Sequence, residues 1–180
     1  MKPLALFAAL ALAIIAVLGF TQPAHTSANS PDRVILPETQ LIFIVRHAET
    51  DPKGGNNPSL TGEGQARANW LTSMIQDEQL NAIYVTKTTR SMQTAAPTST
   101  ATGIPTTAYP ALDAAGLATT IRASENTNAT LVIAHSNTVP TIIAALGGPT
   151  FEDLEHDSFD HFYAVMLKDG RHVRTVQLRY

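Results

Sequence analysis

Two short runs of apolar, β-favouring residues in this chain each end directly at a histidine. The run Leu41–Val45 is followed by Arg46 and His47, and the run Leu131–Ala134 is followed by His135. Continuous apolar runs of this length, without polar alternation, are typical of strands covered on both faces, as in a parallel sheet between layers of helices. The sequence therefore predicts an α/β fold.

The segments between and after these runs alternate between helical and extended patterns. Periodicity and turn residues predict helices from Thr61 onward and over 91–102, 112–124 and 139–146, and further strands over 82–85, 106–109, 162–167 and 173–178. Strands that alternate with helices indicate a three-layer sandwich with a mostly parallel central sheet flanked by helices.

The first predicted helix begins after a loop rich in glycine, asparagine and proline. Thr61 is expected to be its N-cap, and Glu63 supplies an acid in the first turn. The apolar stripe expected to face the core comprises Ala66, Trp70 and Met74 with their neighbours Leu71 and Ile75.

The first 28 residues have the layout of an export signal. A short positive start is followed by an apolar run over residues 4–20 and then by small and polar residues up to Ala28, after which we expect cleavage. The alternative is an uncleaved membrane anchor, because an apolar run of roughly 20 residues can cross a bilayer. Residues 29–39 are then a flexible lead-in, and residues 40–180 form one domain. The expected location is periplasmic or secreted, or membrane-anchored by residues 4–20.

Charge and cysteine content exclude several classes of partner and chemistry. Without residues 1–28, which contain only Lys2 among the charged residues, 12 − 1 = 11 Lys and Arg face 15 Asp and Glu, a formal charge of 11 − 15 = −4. The arginines are scattered, so no basic patch for nucleic acid is expected. The absence of cysteine excludes disulfides and thiol chemistry. Membrane contact is expected only if the N-terminal segment stays attached.

Three predicted strands deliver functional side chains at their carboxyl ends. Arg46 and His47 follow the first, Arg90 lies just past the second, and His135 follows the run at Leu131. In open α/β sheets, ligands bind in the crevice beyond these strand ends. Two guanidinium groups and two imidazoles suit a tetrahedral dianion, and a neutral imidazole can attack phosphorus. A single Arg or His at a strand end is more often structural, so the hypothesis rests on the combination.

Four segments surround the candidate residues and follow one another in a fixed order. They are Arg46-His47-Ala48-Glu49-Thr50, Leu60-Thr61-Gly62-Glu63-Gly64-Gln65-Ala66, Arg90-Ser91-Met92-Gln93-Thr94-Ala95 and Leu131-Val132-Ile133-Ala134-His135. In this order they resemble motifs of the histidine phosphatase superfamily, which includes phosphoglycerate mutases and acid phosphatases. The first segment resembles the family's Arg-His-Gly-Glu-Thr motif around the phosphorylated histidine, with Ala48 at the usual glycine.

This resemblance implies a phosphoglycerate mutase-like fold and a role for each matching residue. His47 would be the nucleophile, and Arg46, Arg90 and His135 would bind the phosphoryl group. The family usually places an acidic proton donor between the second arginine and the second histidine. Asp113 is preferred for this role over Glu125, although propensity alone gives Asp113 a competing role as a helix N-cap. No metal or organic cofactor is implied.

The chain departs from the family pattern at two places. Lys53 stands where the family commonly has asparagine, and Asn56 or Asn57 can substitute only through a different loop path. Residues 136–138 replace a common glycine, and they are expected to begin a helix whose backbone amides can face an anion. The acidic stretch 152–161 lacks the histidine spacing of a zinc protease helix and is expected to be a surface loop.

The predicted function is hydrolysis of phosphomonoesters or a related phospho-substrate through phospho-His47. The short segment between Arg90 and His135 leaves little room for a lid over the site. An open site favours a phosphorylated small molecule, glycan or protein as the substrate. A phosphomutase and a non-catalytic module that binds phospho-ligands are the alternatives.

Overall fold

The computed structural model describes residues 39–124 and 128–180. The proposed signal over residues 1–28 and nearly all of the lead-in lie outside the described residues, as does Glu125, whereas Thr39 is already the first residue of a strand. The elements follow in the order β1 (Thr39–Arg46), α1 (Gly62–Ile75), β2 (Leu80–Val85), α2 (Thr89–Thr102), β3 (Thr106–Ala108), α3 (Ala114–Arg122), β4 (Ala129–Ala134), α4 (Thr138–Ala145), β5 (His161–Lys168) and β6 (Arg171–Arg179).

The strands form one six-stranded sheet in the order β3-β2-β4-β1-β5-β6. The first four strands in this order run parallel, and β5 and β6 add an antiparallel hairpin next to β1. The predicted, mostly parallel sheet is therefore confirmed. Because parallel strands end at the same edge, the residues that follow β1, β2 and β4 meet there.

Helices cover both faces of the sheet. Ile42 and Ile44 of β1 pack in a core cluster with residues of α3 and α4, whereas Phe43 and Val45 pack in a second cluster with residues of α1 and α2. Every residue of β4 is buried. The continuous apolar runs of β1 and β4 thus reflect burial on two sides, and the three-layer sandwich is confirmed.

Helix α1 turns a different face to the core from the one expected. Its buried residues are Gly64, Ala68, Leu71 and Ile75. Trp70 is 49% exposed, and it stacks on Tyr180 with ring centroids 5.5 Å apart. The prediction was correct for Leu71 and Ile75 and wrong for the Ala66-Trp70-Met74 row. Small residues at 64 and 68 allow the helix to pack closely, so the large side chains of the neighbouring row stay outside.

The helix ends follow capping chemistry more closely than apolar periodicity. Helix α2 begins before Ser91, because the Thr88 hydroxyl accepts a hydrogen bond from the Ser91 amide and acts as the N-cap. It ends at Gly103, whose φ of 71° is the left-handed conformation that favours glycine. In the described part of the chain, none of the helices has the length and apolar character of a membrane span.

Candidate active site

The carboxyl edge of the parallel strands opens into a cleft of about 530 Å³. All four side chains expected to bind or attack phosphate line it, namely Arg46, His47, Arg90 and His135. The other described lining residues are Thr50, Gly55, Asn56, Pro58, Thr88, Ala111, Leu112, Ser136, Asn137, Thr138 and His156. The sheet topology therefore brings together four residues that are up to 89 positions apart in sequence, from Arg46 to His135 (135 − 46).

His47 is held rigidly at the end of β1. Its amide donates to the Ala134 carbonyl oxygen at 2.9 Å, which continues the pairing of β1 with β4. Its Nδ1 lies 2.9 Å from the Ala48 carbonyl oxygen. Because a carbonyl oxygen only accepts, Nδ1 carries the hydrogen and donates it. The neutral ring therefore keeps its lone pair on Nε2, the atom available for attack on phosphorus.

Burial keeps both histidines of the site neutral. His47 is only 5% exposed, and burial lowers its pKa to about 3, assisted by the nearby His135 and the two arginines and opposed by the hydrogen bond to Ala48. Burial and the same arginines lower the pKa of His135 to about 4. The two rings lie edge to face with centroids 5.3 Å apart. Around neutral pH, the site therefore contains two uncharged imidazoles beside two guanidinium ions.

Arg46 is fixed by the loop between α4 and β5. Its Nη1 donates to the carbonyl oxygens of Glu155 at 2.9 Å and Ser158 at 3.1 Å. Its Cζ lies 4.0 Å from the ring centroid of Phe159, a cation–π contact. Burial and the neighbouring Arg90 lower the pKa of Arg46. Its buried Nε has no hydrogen-bond partner among the described residues.

His135 is oriented by a small network of hydroxyl groups. Its Nε2 lies 2.9 Å from Thr86 Oγ1. Thr86 donates its own hydroxyl hydrogen to Ser91 Oγ at 2.8 Å, and Thr88 donates to the same oxygen at 3.0 Å. The Thr86 oxygen therefore accepts from His135 Nε2–H. This network could not be predicted from the sequence, because its members become neighbours of His135 only through the pairing of β2 with β4.

Arg90 lies in the first turn of α2, which is tied to the His47 segment. Thr94 Oγ1 donates to the Arg90 carbonyl oxygen at 2.8 Å and accepts from the Ala48 amide at 3.0 Å. Burial lowers the pKa of Arg90. Thr94 thus joins the segment of Arg90 to the segment of His47 and fixes their separation.

The two departures from the family motifs have different outcomes at the cleft. Asn56 lines the cleft, whereas Asn57 exchanges two hydrogen bonds of 2.8 Å with Thr89 and fastens the loop to α2. All of residues 136–138 line the cleft. Thr138 begins α4, and its hydroxyl accepts a hydrogen bond of 2.9 Å from the His135 amide.

Asp113 does not join the other site residues. It is exposed and lies outside the set that lines the cleft. Its carboxylate accepts a hydrogen bond of 2.9 Å from the Gly116 amide and caps α3. The N-cap role is therefore the one that the structure shows, and a proton-donor role for Asp113 stays a prediction. Its alternative, Glu125, lies outside the described residues.

The 152–161 stretch contributes more than the expected surface loop. Its Glu155 and Ser158 carbonyl oxygens accept the hydrogen bonds of Arg46, and its His156 lines the cleft. No sequence signal indicated either contact, since the hydrogen bonds to Arg46 join residues more than 100 positions apart. Within residues 39–124 and 128–180, no three His, Asp or Glu side chains are grouped as a metal site. Independence from metals remains a prediction.

Comparison with known proteins finds a family match over part of the chain. The model of the histidine phosphatase superfamily, branch 1, matches residues 42–117, which include His47 and Arg90. The matched segment is less than half of the 180 residues. The match confirms the resemblance to this family inferred from the sequence. No curated protein matches the chain in sequence.

Several solved structures share the fold over most of the chain. The protein histidine phosphatase SixA, complexed with tungstate, is 21% identical with a TM-score of 0.66, over 78% of this chain and 97% of that one. A mycobacterial glucosyl-3-phosphoglycerate phosphatase is 14% identical with a TM-score of 0.60, over 79% of this chain and 98% of that one. A phosphoglycerate mutase from Bacillus anthracis is 16% identical with a TM-score of 0.57, over 78% and 93%. The phosphoglycerate mutase-like fold is therefore confirmed.

Proposed function

We propose that this protein is an exported phosphatase that hydrolyses phosphomonoesters, or a related phospho-substrate, through a phosphohistidine at His47. The observation that carries the proposal is the geometry of His47, whose Nδ1 is anchored on the Ala48 carbonyl while Nε2 remains free beside two arginines. The family-model match over residues 42–117 and the phosphatases among the similar structures support the same class of reaction.

The first step transfers the phosphoryl group to the enzyme. Nε2 of neutral His47 attacks phosphorus, the bond from phosphorus to the leaving group breaks, and the leaving group takes up a proton where its basicity requires one. Arg46 and Arg90 stabilise the charge on the phosphoryl oxygens. A bound dianion offsets the repulsion from the arginines and favours protonation of His135, which then donates a hydrogen bond through Nδ1 as well as through Nε2.

The second step releases phosphate. Water attacks phospho-His47 in line with the P–N bond, the bond breaks, and the imidazole returns to its neutral form. The hydrogen bond to the Ala48 carbonyl keeps the ring in one orientation through both steps, so a single nucleophile position serves transfer and hydrolysis. No metal or organic cofactor takes part in either step.

The substrate is a phosphorylated small molecule, glycan or protein that reaches an accessible cleft. Leu112, at the rim, is 87% exposed, and the chain between Arg90 and His135 consists of short elements without a long insertion. The similarity to SixA, a protein histidine phosphatase, makes a phosphohistidine-bearing protein one candidate within this class.

The test is hydrolysis of p-nitrophenyl phosphate by the purified protein in the presence of EDTA. We expect turnover by the wild type, loss of turnover in His47→Ala, and retention in His172→Ala, a histidine on β6 outside the cleft lining. Turnover that survives His47→Ala would overturn the nucleophile assignment, and turnover lost to EDTA would overturn metal independence. A wild type that binds phosphate without turnover would favour the non-catalytic binder.

Export is tested separately by the mass of the mature N-terminus in cells that express the full chain. We expect cleavage after residue 28, with the product outside the cytoplasm. An intact N-terminus in a membrane fraction would favour the anchor, and an intact N-terminus in the cytoplasm would overturn export.

A further inference from the structure

The phosphatase proposed above needs a proton source when its substrate has a basic leaving group. When the substrate is the phosphate ester of an alcohol, the alcohol departs readily only if its oxygen is protonated as the P–O bond breaks. The residue expected from sequence, Asp113, lies outside the cleft lining and caps α3. His47, His135 and the two arginines are already assigned to the phosphoryl group.

His156 is the one further described lining residue with an ionisable side chain. It lies in the turn formed by residues 155–158, which is closed by a hydrogen bond of 3.1 Å from the Ser158 amide to the Glu155 carbonyl oxygen. The same Glu155 and Ser158 carbonyls hold Arg46. The backbone of His156 is thus fixed on both sides to a guanidinium group that binds the phosphoryl group.

A second anchor joins this turn to the other wall of the cleft. The buried Leu154 donates its amide to the Ser136 carbonyl oxygen at 3.1 Å, directly after His135. The turn therefore rests on both phosphate-binding segments. Because this support is rigid, the position of His156 relative to the phosphoryl site is set by the fold rather than by a mobile loop.

The chemistry of histidine suits a proton donor at the outer part of the cleft. A protonated imidazole can donate a proton to a leaving group, and the neutral ring can accept one from water. His156 is exposed, so both a leaving group and an incoming water molecule can reach it from solvent. The described lining on the outer side otherwise offers neutral groups such as Asn56, Thr88 and Leu112.

We propose that His156 is the catalytic residue that protonates the leaving-group oxygen, a role that rests on the phosphatase activity proposed above. As Nε2 of His47 bonds to phosphorus, the P–O bond breaks and its electron pair takes the proton of the His156 imidazolium. Neutral His156 then accepts a proton from the water that attacks phospho-His47, which restores the imidazolium. Phosphate and the free alcohol are the products.

The test compares two substrates that share the phospho-His47 intermediate but differ in leaving group. p-Nitrophenolate leaves without a proton. The alcohol of an alkyl phosphate such as glycerol phosphate must receive a proton as it leaves. Since kcat/KM reports the steps up to the first irreversible one, the ratio of kcat/KM for the two substrates reports the proton donor. The variants are His156→Gln, His172→Gln as the matched histidine control, and Asp113→Asn as the rival donor.

For His156→Gln we expect kcat/KM for the alkyl phosphate to fall about 100-fold, with that for p-nitrophenyl phosphate little changed and His172→Gln like the wild type. The assignment of His156 would be overturned if His156→Gln lost kcat/KM equally on both substrates or on neither. A loss in Asp113→Asn that is selective for the alkyl phosphate would also overturn it. If the wild type turns over p-nitrophenyl phosphate and His47→Ala does not, such a result leaves the proposed function intact. If the wild type turns over neither substrate, both proposals fail.

Discussion

Replacement of Gly64 by alanine tests how closely helix α1 packs on the segment that carries His47. A Cβ atom at this position would meet the carbonyl oxygen of Glu49 and would lie 3.1 Å from both the carbonyl carbon and the amide nitrogen of that residue. The obstacle is backbone, and the Glu49 carbonyl already accepts a hydrogen bond of 3.0 Å from the Thr61 amide. The segment therefore cannot retreat without breaking this hydrogen bond to Thr61, the N-cap residue of α1.

The expected cost follows from two opposing effects. Overpacking a well-filled site costs about 1–3 kcal/mol, and a rigid backbone obstacle argues for the upper end. The gain from alanine over glycine in a helix is about 0.5–1 kcal/mol. Gly64→Ala should therefore destabilise the protein by about 2 kcal/mol, the difference between those figures.

Gly62→Ala is the matched control, because no atom lies within 4 Å of a Cβ built at this position in the same helix turn. It should stabilise the protein by about 0.5 kcal/mol. For a domain of this size, the two variants should melt about 10 °C apart. Thermal unfolding and urea unfolding measure the difference, with an unchanged m-value as the check on two-state behaviour. Equal melting temperatures would refute the close packing of α1 on Glu49.

Three further predictions concern the hydroxyl network, the pH dependence of stability and the cap of α3. Thr86→Val removes the partner of His135 Nε2 and should lower kcat/KM for p-nitrophenyl phosphate about tenfold, because the ring is misplaced. The control Thr107→Val, on the exposed strand β3, should keep the wild-type kcat/KM. Equal kcat/KM values in the two variants would contradict the network. Burial lowers the pKa of His47 to about 3, so below pH 6.5 the unfolded chain binds the proton and the folded protein does not. The stability contributed by neutral His47 is full above pH 6.5 and falls as the pH drops toward 3. Between pH 7 and pH 5 the free energy of unfolding should fall by about 2 kcal/mol. Urea unfolding of His47→Gln should show a smaller fall over the same pH range. An equal pH dependence in that variant would contradict the burial of a neutral ring. Asp113→Ala removes the N-cap of α3 and should cost about 1 kcal/mol of unfolding free energy; a variant as stable as the wild type would show that the cap is not formed.

The fold could be predicted from the sequence because its strongest signals are local. The runs at 41–45 and 131–134 are apolar throughout, and burial on both faces is the ordinary reason for such a run. Glycine at 103 and threonine at 61 mark helix ends through their own backbone and side-chain chemistry. The wrong prediction for α1 arose because the apolar periodicity gave most weight to large side chains such as Trp70 and Met74. The buried face instead contains the small residues Gly64 and Ala68, which allow close packing.

The site could be predicted only as far as its residues share an edge of the sheet. Strand ends placed Arg46, His47 and His135 together, since topology alone decides where parallel strands finish. The supporting contacts come from loops: the carbonyls that hold Arg46 lie 109 and 112 residues away in sequence. Loop paths leave no periodic signal, so His156 and the Thr86 network became visible only in three dimensions.

The central claim is that a phosphoryl group passes through Nε2 of His47. Its most direct test is rapid acid-free quenching of the wild type and of His47→Asn during turnover of p-nitrophenyl phosphate, followed by mass spectrometry of the intact protein and its peptides. We expect the wild type to gain one phosphoryl group, located on the peptide with His47 and lost on acid treatment, and the variant to gain none. A phosphoryl group on another residue, or turnover without any phosphoenzyme under conditions that trap one in related enzymes, would contradict the account.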